Sequence, residues 1–309
     1  MGGRPFCVLP LTDRDSRNRN SCWHWLANPS LWPRRNFMRN AFRLRTLLLI
    51  VLPVLFFIPI YWTFVIAVGY HGAAYHLPPV WTPLFHWGPI IYVLTHTHWP
   101  RYVFNTVGIT AATIVLVLFT SALAGYALAE IPFKGHSLYF LLVIGVMMLP
   151  QQALLVPQYV VLFHLHMLNT YAAMVIPFAA NSSSIFLFRQ FFKKIPVSFH
   201  EIARIEGVST LRYIFRVAMP LAKPAVATSV LLTFIAAWNQ FQWPLIMTNS
   251  PQIQPIELAL SHYMQTYEAN WRELASAALI ALSPILIVFA FTQKHIVQAV
   301  AGGDLNAKD

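Results

Sequence analysis

Residues 198–225 read SFHEIARIEGVSTLRYIFRVAMPLAKPA and carry two glutamates and four basic residues, Arg204, Arg212, Arg216 and Lys223. The chain around them is nearly all apolar: of 309 residues, 57% are hydrophobic and 10% charged. Working outward from this charged island, six apolar runs appear, at about 47–67, 104–129, 138–157, 171–188, 225–247 and 274–292. None contains Asp, Glu, Lys or Arg. Each is about as long as a membrane helix needs, since about 20 residues at about 1.5 Å rise cross a hydrocarbon layer of about 30 Å. The expected fold class is an all-α integral membrane protein with six transmembrane helices. The charged island then lies between the fourth and the fifth.

A net charge of +11 invites a nucleic-acid reading, and its placement argues against it. With the N-terminus in the cytoplasm and six alternating helices, 19 of the 21 Lys and Arg residues fall inside, leaving only Arg101 and Arg272 outside. That asymmetry follows the positive-inside rule and places both termini in the cytoplasm. No nucleic-acid partner is expected; the lipid bilayer is. Cys7 and Cys22 form neither a disulfide framework nor a metal motif. No signal-peptide pattern opens the chain, because the first apolar run begins beyond residue 46.

The expected organisation is a cytoplasmic N-terminal segment over 1–40, a six-helix domain over 41–298 and a cytoplasmic tail over 299–309. Residues 1–37 are rich in Arg, Asn, Pro and Trp without helical period, so disorder is expected there, and a true start at Met38 is an alternative. The outer loop at 69–103 holds five prolines, which exclude a long regular helix, and three tryptophans suited to the lipid–water interface. His96 and His98 in that loop are either metal ligands on a strand or part of a His-rich polar loop. No carboxylate or cysteine joins them. Residues 130–137 read as a tight turn, while 158–170 and 248–272 read as outer loops.

Three apolar runs are interrupted by polar residues. MMLPQQALL places Gln151 and Gln152 after Pro150, AANSSSIF places Asn181 and Ser182 to Ser184, and AAWNQFQWP places Asn239, Gln240 and Gln242. Amides and hydroxyls in hydrocarbon need partners, so these residues face other helices or a water-filled path. Interhelical hydrogen bonding and pathway lining are the two readings of each. Three neighbouring runs carrying such clusters favour a polar path.

Several chemistries are excluded by what is missing. Ion-coupled carriers usually hold an ionisable residue within the bilayer, and these runs hold no Asp, Glu, Lys or Arg, which weakens a secondary-carrier reading. HEIAR at 200–204 begins like the zinc-protease motif H-E-x-x-H but has Arg204 where the second imidazole must stand. There is no G-x-S-x-G and no Walker A sequence. No enzymatic activity, catalytic residue, metal or bound cofactor is expected of this chain. If it pumps, ATP and Mg2+ sit on another polypeptide.

Within 196–225, Pro196 ends the preceding segment and Ser198 with Glu201 fits a capping box. A short helix is expected from Phe199 to Glu206, stopped by Gly207 in the left-handed position. Two turns are not stable alone in water, so this helix needs a surface. Docking against a cytoplasmic protein and resting on lipid headgroups are the alternatives.

The segment resembles the cytoplasmic EAA loop of ABC importer permeases, whose pattern is E-A-A, three residues, G, nine residues, I, any residue, L-P. Glu201, Ala203, Gly207 and Pro220 match at the right spacing, with Ile202, Val217 and Met219 as apolar replacements. NTVGITAATIVLVLFTSALAGYALA at 105–129, KGHSLYFLLV at 134–143, WNQFQWPLIMT at 238–248 and QKHIVQ at 293–298 extend the resemblance to the carbohydrate-uptake (maltose-type) branch. The tail AGGDLNAKD departs from the family's usual ending. The resemblance implies a coupling helix made by Glu201, Ile202, Ala203, Arg204, Gly207 and Pro220, with Glu201 ion-paired to an ATPase subunit. It also implies an ATPase dimer, a second permease subunit, an outside solute-binding protein and a sugar, polyol or glycerol phosphate as cargo, in a bacterial or archaeal inner membrane.

Overall fold

The computed structural model describes residues 35–70, 72–265 and 270–301; the segment 1–34 and the tail 302–309 lie outside the described residues. The described chain is helical, with no strand. Its helices are α1 (Arg35–Ala67), α2 (Gly88–His96), α3 (Trp99–Glu130), α4 (His136–Met147), α5 (Leu155–His164), α6 (Tyr171–Val175) and α7 (Ser182–Phe192). There follow α8 (Val197–Ile205), α9 (Thr210–Tyr213), α10 (Met219–Leu221), α11 (Lys223–Trp238), α12 (Gln242–Met247), α13 (Ile256–Gln265) and α14 (Trp271–Ala301). A π-helical turn, Ile214–Ala218, joins α9 to α10.

The chain divides into two units at Tyr61 and Trp62. In the first, the described residues are turns of α1, with Leu49, Ile50, Phe56 and Phe57 exposed. An apolar helix so displayed needs lipid or protein around it. The second unit holds the remaining helices. Three helical stretches are long and apolar enough to cross a membrane alone: Leu49–Ala67, Trp99–Glu130 and Trp271–Thr292. Three more are bent pairs: His136–Met147 with Gln151–His164 at 97°, Tyr171–Phe178 with Ser182–Phe192 at 44°, and Thr210–Leu221 with Lys223–Trp238 at 89°.

These bends correct the expected continuous helices. The run 138–157 breaks at Met148–Pro150, because proline supplies no amide hydrogen and disfavours helix in the residue before it. Its second half continues as α5 to His164, inside what reads as an outer loop. The run 225–247 ends at Trp238 and resumes as the separate α12. The loop 248–272 contains α13, whose apolar side lies in a cluster with α2, α11 and α14.

The second unit centres on α3, which packs against α7 and α11, while α11 packs against α14. Gly125 makes the α3–α7 approach possible: a Cβ there would lie 2.7 Å from the Cβ of Phe188 and 3.1 Å from the Arg189 amide nitrogen. Between α7 and α11, the Ser229 hydroxyl donates to that of Ser184 at 2.7 Å, both buried. Trp238 Nε1–H donates to the Ala281 carbonyl, tying α11 to α14.

The two ends of α3 are held differently. At its start, Asn105 Nδ2 donates to the carbonyls of Gln252 and Gln254, each at 2.9 Å, and the Tyr171 hydroxyl donates to Asn105 Oδ1. Asn169, at φ 58°, accepts on its Oδ1 from the amides of Asn249 and Ser250. At its other end, roughly 30 Å along the helix axis, Tyr126 enters an aromatic and aliphatic cluster with Phe188, Phe192, Ala203, Tyr213 and Ile214.

Candidate functional site

Three interruptions of the helices open on one space: those before α5 and before α7, and the one between α11 and α12, whereas the 89° bend at Ala222 does not. A cavity of about 600 Å³ lies among α3, α4, α5, α7, α11 and α12. Gln151 and Gln152 reach it from the break before α5, Asn181, Ser182 and Ser183 from the break before α7, and Asn239 and Gln240 from the break after α11. Eight of the nine polar residues singled out in the sequence therefore meet at one cavity, Gln242 included; the ninth, Ser184, turns instead to Ser229. Backbone groups freed by a break in an apolar environment must be satisfied by side chains or water. Polar side chains at the breaks and a polar cavity are thus two aspects of one arrangement.

Among the described residues the lining holds no Asp, Glu, Lys, Arg or His. Its polar groups are seven carboxamides and four hydroxyls, with Phe178, Phe241 and Trp243 as aromatic faces. The Trp243 ring is fixed, because its Nε1–H donates to the Ala173 carbonyl at 2.9 Å and Phe178 stands edge-on at 5.3 Å. Uncharged donors and acceptors beside aromatic rings suit a neutral, hydroxyl-rich molecule; an anion would be left without a fixed positive charge.

The lining residues differ in how far the fold already uses them. Asn181 caps α7, with Oδ1 accepting from the Ser184 amide at 2.9 Å. Asn239 Nδ2 donates back to the Ile235 carbonyl. Ser184, next to the lining serines, is spent on Ser229. By contrast Gln151, Gln152, Gln158, Gln240 and Gln242 make no side-chain hydrogen bond among the described residues. Sequence reading missed Gln158, Thr113 and Thr233. Gln158 lies two turns beyond Gln151, a helical spacing that places both on one face, while the two threonines carry no distinguishing signal.

At the far end of α3, α8 presents the matched loop. It begins at Val197 rather than Phe199, with Pro196 as the N-cap and no side-chain cap. The capping box therefore does not form: Ser198 lies inside the helix. Proline's fixed φ already starts the turn. The stop is as expected, with Gly207 at φ 69° and the Val208 amide donating to the Ala203 carbonyl at 2.9 Å. Only Ala203 is buried on this helix. Glu201, Ile202, Arg204, Gly207 and Pro220 are exposed, and so are Val197, Phe199 and Ile205, the last at 86%. Among the described residues, His96 and His98 join no metal-binding cluster; the His96 ring stacks on Tyr92.

A bundle of apolar helices, broken around an uncharged polar cavity and carrying a short exposed helix, has the form of a membrane transport subunit. A family model, the binding-protein-dependent transport system inner membrane component, matches residues 121–302, and the chain belongs to that family. The arabinooligosaccharides transport system permease protein AraQ of Bacillus subtilis (strain 168) is 32% identical over 66% of this chain and 72% of its own length. The sn-glycerol-3-phosphate transport system permease protein UgpE of Pectobacterium atrosepticum is 28% identical over 82% and 93%. The trehalose/maltose transport system permease protein MalG of Thermococcus litoralis is 29% identical over 68% and 77%. In fold, a chain from the crystal structure of a bacterial ABC transporter involved in the import of the acidic polysaccharide alginate superposes with a TM-score of 0.77 at 23% identity, covering 85% of this chain and 98% of that one. The protein is thus a multi-pass inner-membrane permease component of a binding-protein-dependent transport system, a transporter rather than an enzyme family.

Proposed function

We propose that this chain forms half of the translocation pathway of an ATP-driven importer for a neutral sugar or oligosaccharide. The observation that carries the cargo class is the cavity: carboxamides and hydroxyls from three helix breaks, with aromatic faces and no charge in the lining. Relatives named for arabinooligosaccharides and for trehalose or maltose support it. The relative named for glycerol phosphate keeps a polyol or its phosphate as the second reading, but a phosphate entering an uncharged cavity would need its positive partner elsewhere.

In this reading the three single helices and three bent pairs are six spans, with α8 and both termini in the cytoplasm. The Lys and Arg asymmetry supports that orientation. α8 is the coupling helix. Its exposed Phe199, Ile202 and Ile205 enter a cleft of an ATPase dimer, and Glu201 pairs with a basic residue there. ATP and Mg2+ are held by those subunits. A second permease subunit completes the pathway, and a solute-binding protein delivers cargo from outside. ATP-driven closure moves the cleft, α8 moves with it, and the cavity changes the side to which it opens. An ATPase-independent carrier or a helix resting on lipid would need no such partner.

The test is purification of the tagged chain from its native membranes, wild type beside Glu201→Lys. Recovery of an ATPase with wild type and its loss with the variant is expected. A well-folded wild type that never brings an ATPase down overturns the reading.

A further inference from the structure

Tyr126 is 2% exposed at the end of α3, and among the described residues its hydroxyl meets one hydrogen-bond partner, Nδ1 of His200 on α8, at 2.9 Å. The imidazole also stands edge-on to Tyr213 at 5.3 Å and 87°. Tyr126 in turn contacts Tyr213 and Phe192. Among the described residues this is the one side-chain hydrogen bond from α8 to a long helix. Apart from the His200 ring, the helix is seated through its one buried residue, Ala203. An apolar contact through one methyl group has no preferred direction and lets a nine-residue helix slide. A hydrogen bond is directional and resists that.

The bond also stands at a mechanically useful place. Nine residues back along α3, about 14 Å at helical rise, Val117 lines the cavity, followed by Thr113. Phe188 and Phe192 of α7 share the Tyr126 cluster, and the opposite end of α7 brings Ser182 and Ser183 to the same cavity. We propose that Tyr126 and His200 are a positioning pair whose hydrogen bond makes α3 follow α8, so that displacement of the short helix reaches the cavity wall. This rests on the coupling role given to α8 above. In the tautomer with no proton on Nδ1, that nitrogen accepts from the tyrosine hydroxyl.

The experiment uses the complete importer with Cys7 and Cys22 replaced by Ser and Ser183→Cys, exposed in the cavity wall, as reporter. The rate of maleimide labelling is read with and without a non-hydrolysable ATP analogue, alongside ATPase co-purification. With the native pair, nucleotide changes the labelling rate. Tyr126→Phe, which removes only an oxygen, reduces that response by about fivefold, the effect of one ordinary buried hydrogen bond, and leaves the ATPase bound. His200→Leu does the same, and the double variant is no worse than either single one. His200→Asn restores the response, because its Oδ1 accepts in place of Nδ1. A full response in Tyr126→Phe overturns the pair alone, as does loss of the ATPase from that variant. Absence of ATPase from the wild-type preparation overturns the coupling reading and the pair with it.

Discussion

α8 and the turns after it, Val197 to Leu221, make their surface from one continuous piece of chain, whereas the cavity gathers Thr113, Gln151, Asn181 and Asn239 from four separated ones. The first surface is exposed and mixes charged with apolar side chains, with a single buried anchor on α8, Ala203. The second is polar and enclosed by helices. A continuous surface depends on local backbone geometry, and one residue in the wrong conformation can remove it. A gathered surface depends on helix packing, and losing one of its many polar groups only weakens it. The two regions should therefore respond to mutation with different severity.

The largest effect is expected where the continuous surface turns. Gly207 sits at φ 69°, a conformation β-branched residues rarely adopt. Gly207→Val should abolish uptake in the assembled importer while the chain still inserts in the membrane at wild-type level. Gly207→Asn should keep most of the uptake, since asparagine tolerates the left-handed region. Equal loss in both would show that the site is crowded rather than conformationally constrained.

Next comes the packing that gathers the cavity. Gly125 has no room for a side chain, with Phe188 Cβ at 2.7 Å from the added atom. Gly125→Val should push α3 from α7 and cost about 1–3 kcal/mol or more, as overpacking does. Thermal unfolding of detergent-purified protein measures it. An unchanged midpoint would mean the two helices part at no cost, and that the cavity is not held by this contact.

Within the cavity the single effects should be smaller. Gln152→Leu and Gln240→Leu each remove one uncommitted carboxamide and should lower uptake by about fivefold, near the net value of one hydrogen bond, with ATPase co-purification unchanged. Gln240→Lys sharpens the comparison further. It adds the fixed positive charge the lining lacks, and should shift preference from neutral sugars toward a phosphorylated polyol in competition assays. A wild-type preference for the phosphate would reverse the cargo assignment.

Legibility in the sequence follows the same division. The four motif matches of the loop stand in one stretch, so Glu201, Ala203, Gly207 and Pro220 are placed by their spacing alone. The eight cavity residues named from the sequence are conspicuous as amides and hydroxyls in apolar runs, but their convergence is not readable there. Convergence depends on the bends of 97° before α5 and 44° before α7 and on the break between α11 and α12, and those depend on where backbone hydrogen bonding fails. Pro150 announces one bend; nothing comparable announces the break after Trp238. The missing capping box has the opposite cause. Ser198 and Glu201 satisfy the pattern, yet Pro196 starts the helix before the serine can cap it. Asn105 and Asn169 give no signal, since each works through backbone groups of a distant loop.

The smallest predicted effect separates the two readings that polar residues in apolar helices always carry. Ser183 lines the cavity, and its neighbour Ser184 is buried against Ser229 with their oxygens 2.7 Å apart. Hydrogen bonds between membrane helices are worth about 0.6 kcal/mol on average, because the separated helices also find partners. Ser184→Ala and Ser229→Ala should each lower the unfolding free energy by about that amount, the double variant by no more, and uptake should not change. Ser183→Ala should do the reverse, leaving stability intact and lowering uptake. If Ser184→Ala impaired uptake without touching stability, the bond to Ser229 would have to open during transport, and the α7–α11 contact would belong to the moving part of the cavity rather than to its frame.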